Sequence, residues 1–297
     1  MKKRKRYIIF LFSFLFSIIF CTSLFFYSKK NNTFRIKTKY INFKNEDIGL
    51  SGRIKTIEVN NINNSSNIHA FVMHAGAANS ADYINIVKEL NIKSATLIDH
   101  NNLDSGENLI MINFRKVLNQ INKIYSLHDS LNYLKIVPES DLFWDMHDFY
   151  LSRTIDHYFT ANNNLTNQNY IFIGHSHGAS LKASNYINSY TSNNTYMIYI
   201  NPCFRPDLIK EKIKSYILII SGEKDKEGCF YNLKENLDLI TNEFQINMVK
   251  GLKHFSFLPN REPDLQHLVY YEYDPSHKNE VIRLINNFLN TEILKND

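Results

Sequence analysis

Glycine and proline are scarce in this chain, nine and six in 297 residues. Scarcity raises the information in any glycine pair, so Gly174 and Gly178, spaced around Ser176, are less accidental than the same spacing in a glycine-rich protein. Cysteine is limited to three. Cys21 falls in an apolar amino-terminal run, which leaves Cys203 and Cys229 to form at most one disulfide or to stand as unrelated thiols. An excess of charge is missing too, once the amino terminus is set aside. Seven of the 34 Lys and Arg lie within residues 1–30, where there is no acid, and the other 27 face 29 Asp and Glu. The formal net charge of +5 therefore belongs to the amino-terminal segment, and neither a nucleic-acid partner nor a strongly charged substrate is expected.

What the chain does have begins at that segment. Residues 1–6 read Met-Lys-Lys-Arg-Lys-Arg, and 7–27 continue without a charge, rich in Phe, Ile and Leu, up to Lys29 and Lys30. Such a run is long enough to span a bilayer. Its basic flank predicts that the amino end stays cytoplasmic and the remainder is exported to the periplasm or the exterior. Leu24, Phe25 and Phe26 prolong the apolar region past the small residues at 21–23, which favours an uncleaved anchor at 1–30 over secretion after signal cleavage. Bulky Phe20 before Cys21 argues against a lipoprotein signal.

Beyond the anchor, roughly 265 residues suit one large α/β domain. Residues 31–66 hold β-like stretches at 34–43 and 52–59, split by a polar turn around Asn45, Glu46 and Asp47, and read as a hairpin. Within 67–297, strands are expected at 69–74, 93–98, 169–173, 196–200, 215–220 and 244–249. Helices are expected at 80–90, 145–159, 179–189, 232–240 and 279–289. Strands alternating with helices imply a mainly parallel central sheet covered on both faces. Residues 99–106 are polar and loop-like. Residues 107–143, with a helical Ile/Leu pattern, read either as a lid-like insertion or as an excursion packed on the sheet edge.

The chemistry concentrates at residues 171–180, Ile-Phe-Ile-Gly-His-Ser-His-Gly-Ala-Ser, where a β-type run enters a Gly-x-Ser-x-Gly turn. This is the nucleophile-elbow pattern: serine at a sharp strand-to-helix turn needs small residues two before and two after, so that the chain can double back. The His177 amide then faces the place where an oxyanion would form. A serine hydroxyl is a poor nucleophile at neutral pH and needs a base, which in turn needs an orienting acid. After the strand at 215–220 comes Ser221-Gly222-Glu223-Lys224-Asp225, with Asp225 the preferred acid and Glu223 and Asp207 its rivals. After the strand at 244–249 comes Gly251-Leu252-Lys253-His254, with His254 the preferred base over His267 and His277. The His175-x-His177 pair is not continued by further ligands in a metallohydrolase pattern, so no metal is expected.

Together these three segments resemble the α/β-hydrolase superfamily over nearly all of residues 67–290. The resemblance implies the α/β-hydrolase fold, a Ser176-Asp225-His254 triad at the carboxyl ends of the sheet, and a serine esterase or lipase-like activity that needs no cofactor. The segment His74-Ala75-Gly76-Ala77 resembles the family's His-Gly oxyanion loop, with Ala75 where glycine is usual, and points to Gly76 or Ala77 as the second amide donor. Carboxylic esters or thioesters, small-molecule or lipid, are the implied substrates. A peptidase or amidase on the same triad, and a catalytically silent binding protein on the same fold, are the alternatives. The short spacing from Cys203 to Ser215 nearly closes the usual site of a lid domain. Residues 107–143 and the aromatic stretch 268–273 are the segments left to form an acyl-binding wall.

Overall fold

The computed structural model describes residues 33–45, 50–75, 78–103, 141–162, 168–192, 195–203, 213, 215–225, 241, 243–259 and 273–294. Apolar residues recur with period two along most of the strands, and each alternate set is buried on its own face of a single sheet. Eight strands build it: β1 (Phe34–Asn45), β2 (Leu50–Asn61), β3 (Ile68–Met73), β4 (Ser94–Leu103), β5 (Asn169–His175), β6 (Thr195–Ile200), β7 (Ile217–Gly222) and β8 (Phe244–Val249). Their spatial order is β1-β2-β4-β3-β5-β6-β7-β8. The hairpin β1–β2 and the pair β2–β4 are antiparallel, and every pairing from β4 to β8 is parallel.

The alternation sorts the core into two layers. Ala70, Val72, Ile171, Ile173, Ile198, Ile200, Leu218 and Ile220 face one side, where α1 (Ile84–Glu89) and α4 (Pro275–Phe288) supply Ile86, Val87, Val281 and Ile285. Phe71, Met73, Tyr170, Phe172, Met197, Tyr199, Ile217 and Ile219 face the other, against Leu151 and Ile155 of α2 (Asp141–Ala161) and Ala183 and Ile187 of α3 (Ala183–Asn188). A strand buried on both faces reads as a continuous apolar run, as β5, β6 and β7 do.

Several expectations shift. The helix expected at 145–159 spans 141–161 and takes in the last three residues of the expected 107–143 excursion, and the one expected at 80–90 is a 3₁₀ turn, Ser80–Tyr83, followed by α1. β4 runs to Leu103, so residues 99–103 are strand rather than loop; a register break at Ile54/Lys55 lets the β2 ladder continue past the polar residues. The helix expected at 179–189 begins only at Ala183. One 3₁₀ turn, Ser176–Gly178, comes first and ends at Ala179 with ψ 85°, while the Ser180 hydroxyl turns to Asp148 Oδ1 at 2.8 Å. The closing helix starts four residues early, because Asp274 accepts the Ser276 amide as its N-cap and Pro275 fits the first helical position. The stretches 1–30, 107–140 and 232–240 lie outside the described residues. Among those described, no helix is long and apolar enough to cross a membrane.

One buried polar side chain in the sheet has a stability consequence. His69 of β3 is 2% exposed, with Nδ1 2.7 Å from Ser94 Oγ and Nε2 3.2 Å from Thr96 Oγ1, and it stacks on Tyr158. Burial lowers its pKa from 6.5 to about 3. The unfolded chain therefore binds a proton that the folded chain refuses, so this contribution is complete above pH 6.5 and is lost as pH falls toward 3. Between those limits His69 adds about 1.4 kcal/mol of stability per pH unit. The expected outcome is that His69→Gln flattens the pH 4–6 slope of urea-unfolding free energy by about that amount; an unchanged slope contradicts it.

Candidate active site

The carboxyl ends of β3, β5, β6, β7 and β8 end on one edge of the sheet, and the chemistry-bearing residues leave from there. Ser176 follows β5 directly, 1% exposed, with φ +53°, a left-handed conformation rare for a residue with a Cβ. The flanking glycines are required by contact distance. A Cβ on Gly178 would lie 2.3 Å from the His74 carbonyl oxygen and 2.6 Å from that of Met73. On Gly174 it would lie 2.6 Å from both Ala179 Cα and Gly178 O. The Ser176 carbonyl accepts from the amides of Ala179 and Cys203, both at 3.1 Å, which closes the turn.

The Ser176 hydroxyl donates to Cys203 Sγ at 3.7 Å. Cys203 is disulfide-bonded, and its partner lies outside the described residues. Neither Cys21 nor Cys229, the other two cysteines, falls within them.

Asp225 follows β7, and its amide bonds back to the Gly222 carbonyl at 3.1 Å. His254 follows β8 after Gly251, whose φ of +74° turns the chain inward. The two loops are pressed together: a Cβ on Gly222 would lie 2.3 Å from the Leu252 carbonyl. The structure thereby brings His254 Nδ1 to 3.1 Å from both carboxylate oxygens of Asp225, with the imidazole 0% and the carboxylate 5% exposed. A carboxylate only accepts, so Nδ1 carries a proton and donates a hydrogen bond to Asp225. Of the rival residues, Glu223 is exposed and accepts the Gly251 amide at 3.1 Å, and His277 Nδ1 pairs with Ser256 Oγ at 2.8 Å. Asp207 and His267 lie outside the described residues, as do Gly76 and Ala77.

Two further histidines line this edge. His147 of α2 donates from Nδ1 to the His177 carbonyl at 3.0 Å. Burial, then the neighbouring His177, lowers its pKa to about 3. Burial and His254 lower His177 to about 4. Both are neutral at physiological pH and add no positive charge there. Among the described residues no group of three or more His, Cys, Asp or Glu is arranged to hold a metal ion.

Beside His74 and Ala75, at the end of β3, lies a buried ionic group. Asp99 Oδ2 is 3.5 Å from Lys55 Nζ and accepts from Ser80 Oγ at 3.2 Å, while Oδ1 is 3.4 Å from His74 Nε2. His74 Nδ1 in turn lies 2.6 Å from the Ala75 carbonyl. This fixes His74 and Ala75, the two residues that lead into the loop.

No protein-family model and no curated protein matches the sequence. Solved structures do. A dienelactone hydrolase-like promiscuous phosphotriesterase from metagenomic libraries is similar at TM-score 0.57 and 10% identity, over 86% of this chain and 98% of that one. A peroxisomal α/β-hydrolase of Saccharomyces cerevisiae is similar at TM-score 0.56 and 10% identity, over 89% and 91%. A dienelactone hydrolase from Anabaena variabilis is similar at TM-score 0.52 and 15% identity, over 87% and 98%. The chain has the α/β-hydrolase fold. In that fold the serine turn after β5 and the loops after β7 and β8 share one edge, which is where Ser176, Asp225 and His254 sit.

Sequence reasoning left out Tyr83, Asn201 and the side chain of His175, all buried at this edge of the α/β-hydrolase sheet. Asn201 had a local signal: it precedes Pro202, which disfavours the right-handed α region, and asparagine tolerates the φ of +42° found there. Tyr83 had none, because it meets His175 across 92 residues of chain.

The strained φ at Ser176 predicts a measurable difference between two variants. Glycine takes a positive φ without the Cβ penalty of about 1–2 kcal/mol, less its own entropic cost. Ser176→Gly should therefore be about 0.5–1 kcal/mol more stable than Ser176→Ala in chemical denaturation. Equal stability, or the reverse order, would show that the turn is not strained.

Proposed function

We propose that this chain is a serine hydrolase that cleaves carboxylic ester or thioester bonds through an acyl-enzyme. The observation that carries the reading is Ser176, held at φ +53° on the sheet edge it shares with a buried Asp225–His254 hydrogen-bonded pair. Similarity to a dienelactone hydrolase and to an esterase, Est22, at TM-scores of 0.52 and 0.51, supports the same class.

In this reading Ser176 rotates from the Cys203 sulfur toward His254. His254 Nε2 takes the hydroxyl proton as Oγ attacks the carbonyl carbon, and Asp225 stabilises the imidazolium through Nδ1. The amides of His177 and of Gly76 or Ala77 receive the oxyanion. The tetrahedral intermediate collapses as His254 returns the proton to the leaving alcohol or thiol, and water repeats the cycle to release the acid. No cofactor enters these steps. The uncharged run at residues 7–27 supports membrane anchorage with the hydrolase domain exported, with secretion after cleavage as the alternative. A small or lipid ester fits either location.

A second reading, a silent binding protein, is favoured by one observation: the Ser176 hydroxyl is directed at Cys203 Sγ. A fluorophosphonate probe separates the two. Wild-type protein should be labelled at Ser176, and Ser176→Ala should not; a folded wild type that resists the probe supports the binding protein. On nitrophenyl esters of increasing chain length, Asp225→Asn should lower kcat by about 10³-fold or more by removing the acceptor that fixes the His254 tautomer. Retention of wild-type kcat by that variant would exclude Asp225 as the acid.

A further inference from the structure

The side chain beside the nucleophile is wired to the base. His175 is fully buried, and its Nε2 lies 3.0 Å from the main-chain carbonyl of His254. A carbonyl only accepts, so Nε2 carries the proton and Nδ1 must accept. It does so from the Tyr83 hydroxyl at 2.5 Å, whose oxygen in turn accepts the Ala75 amide at 3.2 Å. Every polarity in this chain of bonds is consistent, and only one tautomer of His175 satisfies it. A second donor reaches the same carbonyl: Asn201 Nδ2 at 3.1 Å, with Asn201 Oδ1 accepting the Gly222 amide at 2.7 Å.

We infer that His175, its tautomer locked by Tyr83 and assisted by Asn201, is a positioning residue that holds the His254 backbone so that the imidazole meets Asp225 and Ser176 in register. The inference rests on the reading of His254 as the base. Its physical content is that the base is tied at both ends. The ring is held through Nδ1 by Asp225, and the main chain through its carbonyl by donors leaving β5 and β6. Ring contacts reinforce the hold, with the His175 and His254 centroids 5.0 Å apart and Phe257 packed on His175 at 4.9 Å. The same network reaches the Ala75 amide through the Tyr83 hydroxyl, so it ties the ends of β3, β5 and β6 to the segment that carries His254.

Two amide variants of the full-length chain separate positioning from packing. Gln places an amide nitrogen near the position of Nε2 and can donate to the His254 carbonyl, whereas Asn reaches only the position of Nδ1. With p-nitrophenyl acetate, His175→Asn should lower kcat by about 10- to 100-fold at nearly constant KM, and His175→Gln should recover most of that loss. Equal kcat in two variants of similar thermal midpoint would overturn the inference. A readout independent of turnover is the imidazole ¹⁵N and Nδ1 proton spectrum of His254, expected to be displaced in His175→Asn and near wild type in His175→Gln. An unperturbed spectrum in His175→Asn overturns the inference even if the enzyme is active. A displaced spectrum in a protein that resists fluorophosphonate supports the positioning role and rejects the hydrolase reading alone. If His175→Asn does not fold, Tyr83→Phe carries the test. Without the hydroxyl, Nδ1 competes for the proton, so kcat should fall at constant KM and the His254 spectrum should move; no change in either overturns the inference.

Discussion

Two backbones in contact govern the geometry of the sheet edge. The turn after β5 packs Gly178 against the carbonyls of Met73 and His74 at the end of β3, at distances that no side chain can enter. That approach forces the chain to reverse immediately after β5, and the reversal places Ser176 in the left-handed region. It also brings the Ser176 carbonyl to the Cys203 amide beyond β6. Strain at one residue survives because neighbours on three strands define the position more tightly than the local preference opposes it.

Around that turn the interior solves an electrostatic problem. Several ionisable groups sit at almost no exposure among aromatic and aliphatic side chains, and an isolated charge in such a place is expensive. Two solutions coexist. Asp99 lies against Lys55 and Asp225 accepts from the His254 ring, whereas burial keeps His69 and His147 neutral, His69 with a hydroxyl on each ring nitrogen. At the edge that carries Ser176, neutral His147 and His177 add no positive charge beside the Asp225–His254 pair.

Much of this was legible in the residues. Alternation of apolar runs with helical spacing identifies the parallel sheet, and scarcity of glycine makes the pair around Ser176 conspicuous. Chain order, combined with a place on the loop after a strand, points to Asp225 and His254, which the structure joins at 3.1 Å. The failures have particular causes. The extension of β4 depends on a ladder with β2 that tolerates polar side chains, which propensity cannot register. The late start of α3 depends on Ser180 preferring Asp148, a residue on another helix. The α4 start is written in Asp274-Pro275, a cap that lies ahead of the apolar spacing of the helix. Tyr83 and His175 meet only through tertiary folding, so no local pattern announces them.

The sheet order also bears on how the molecule is assembled. β3 pairs with β4 soon after it in the chain, but its other neighbour is β5, so that Ile68 waits for Asn169. Until β5 is available, a chain synthesised from the amino terminus carries a half-built sheet whose hydrophobic central strand has one open hydrogen-bonding edge. Parallel pairing across such a separation is slow, since the loop must close before any contact rewards it. The strand that delivers Ser176 is therefore also the strand that closes the open edge of β3.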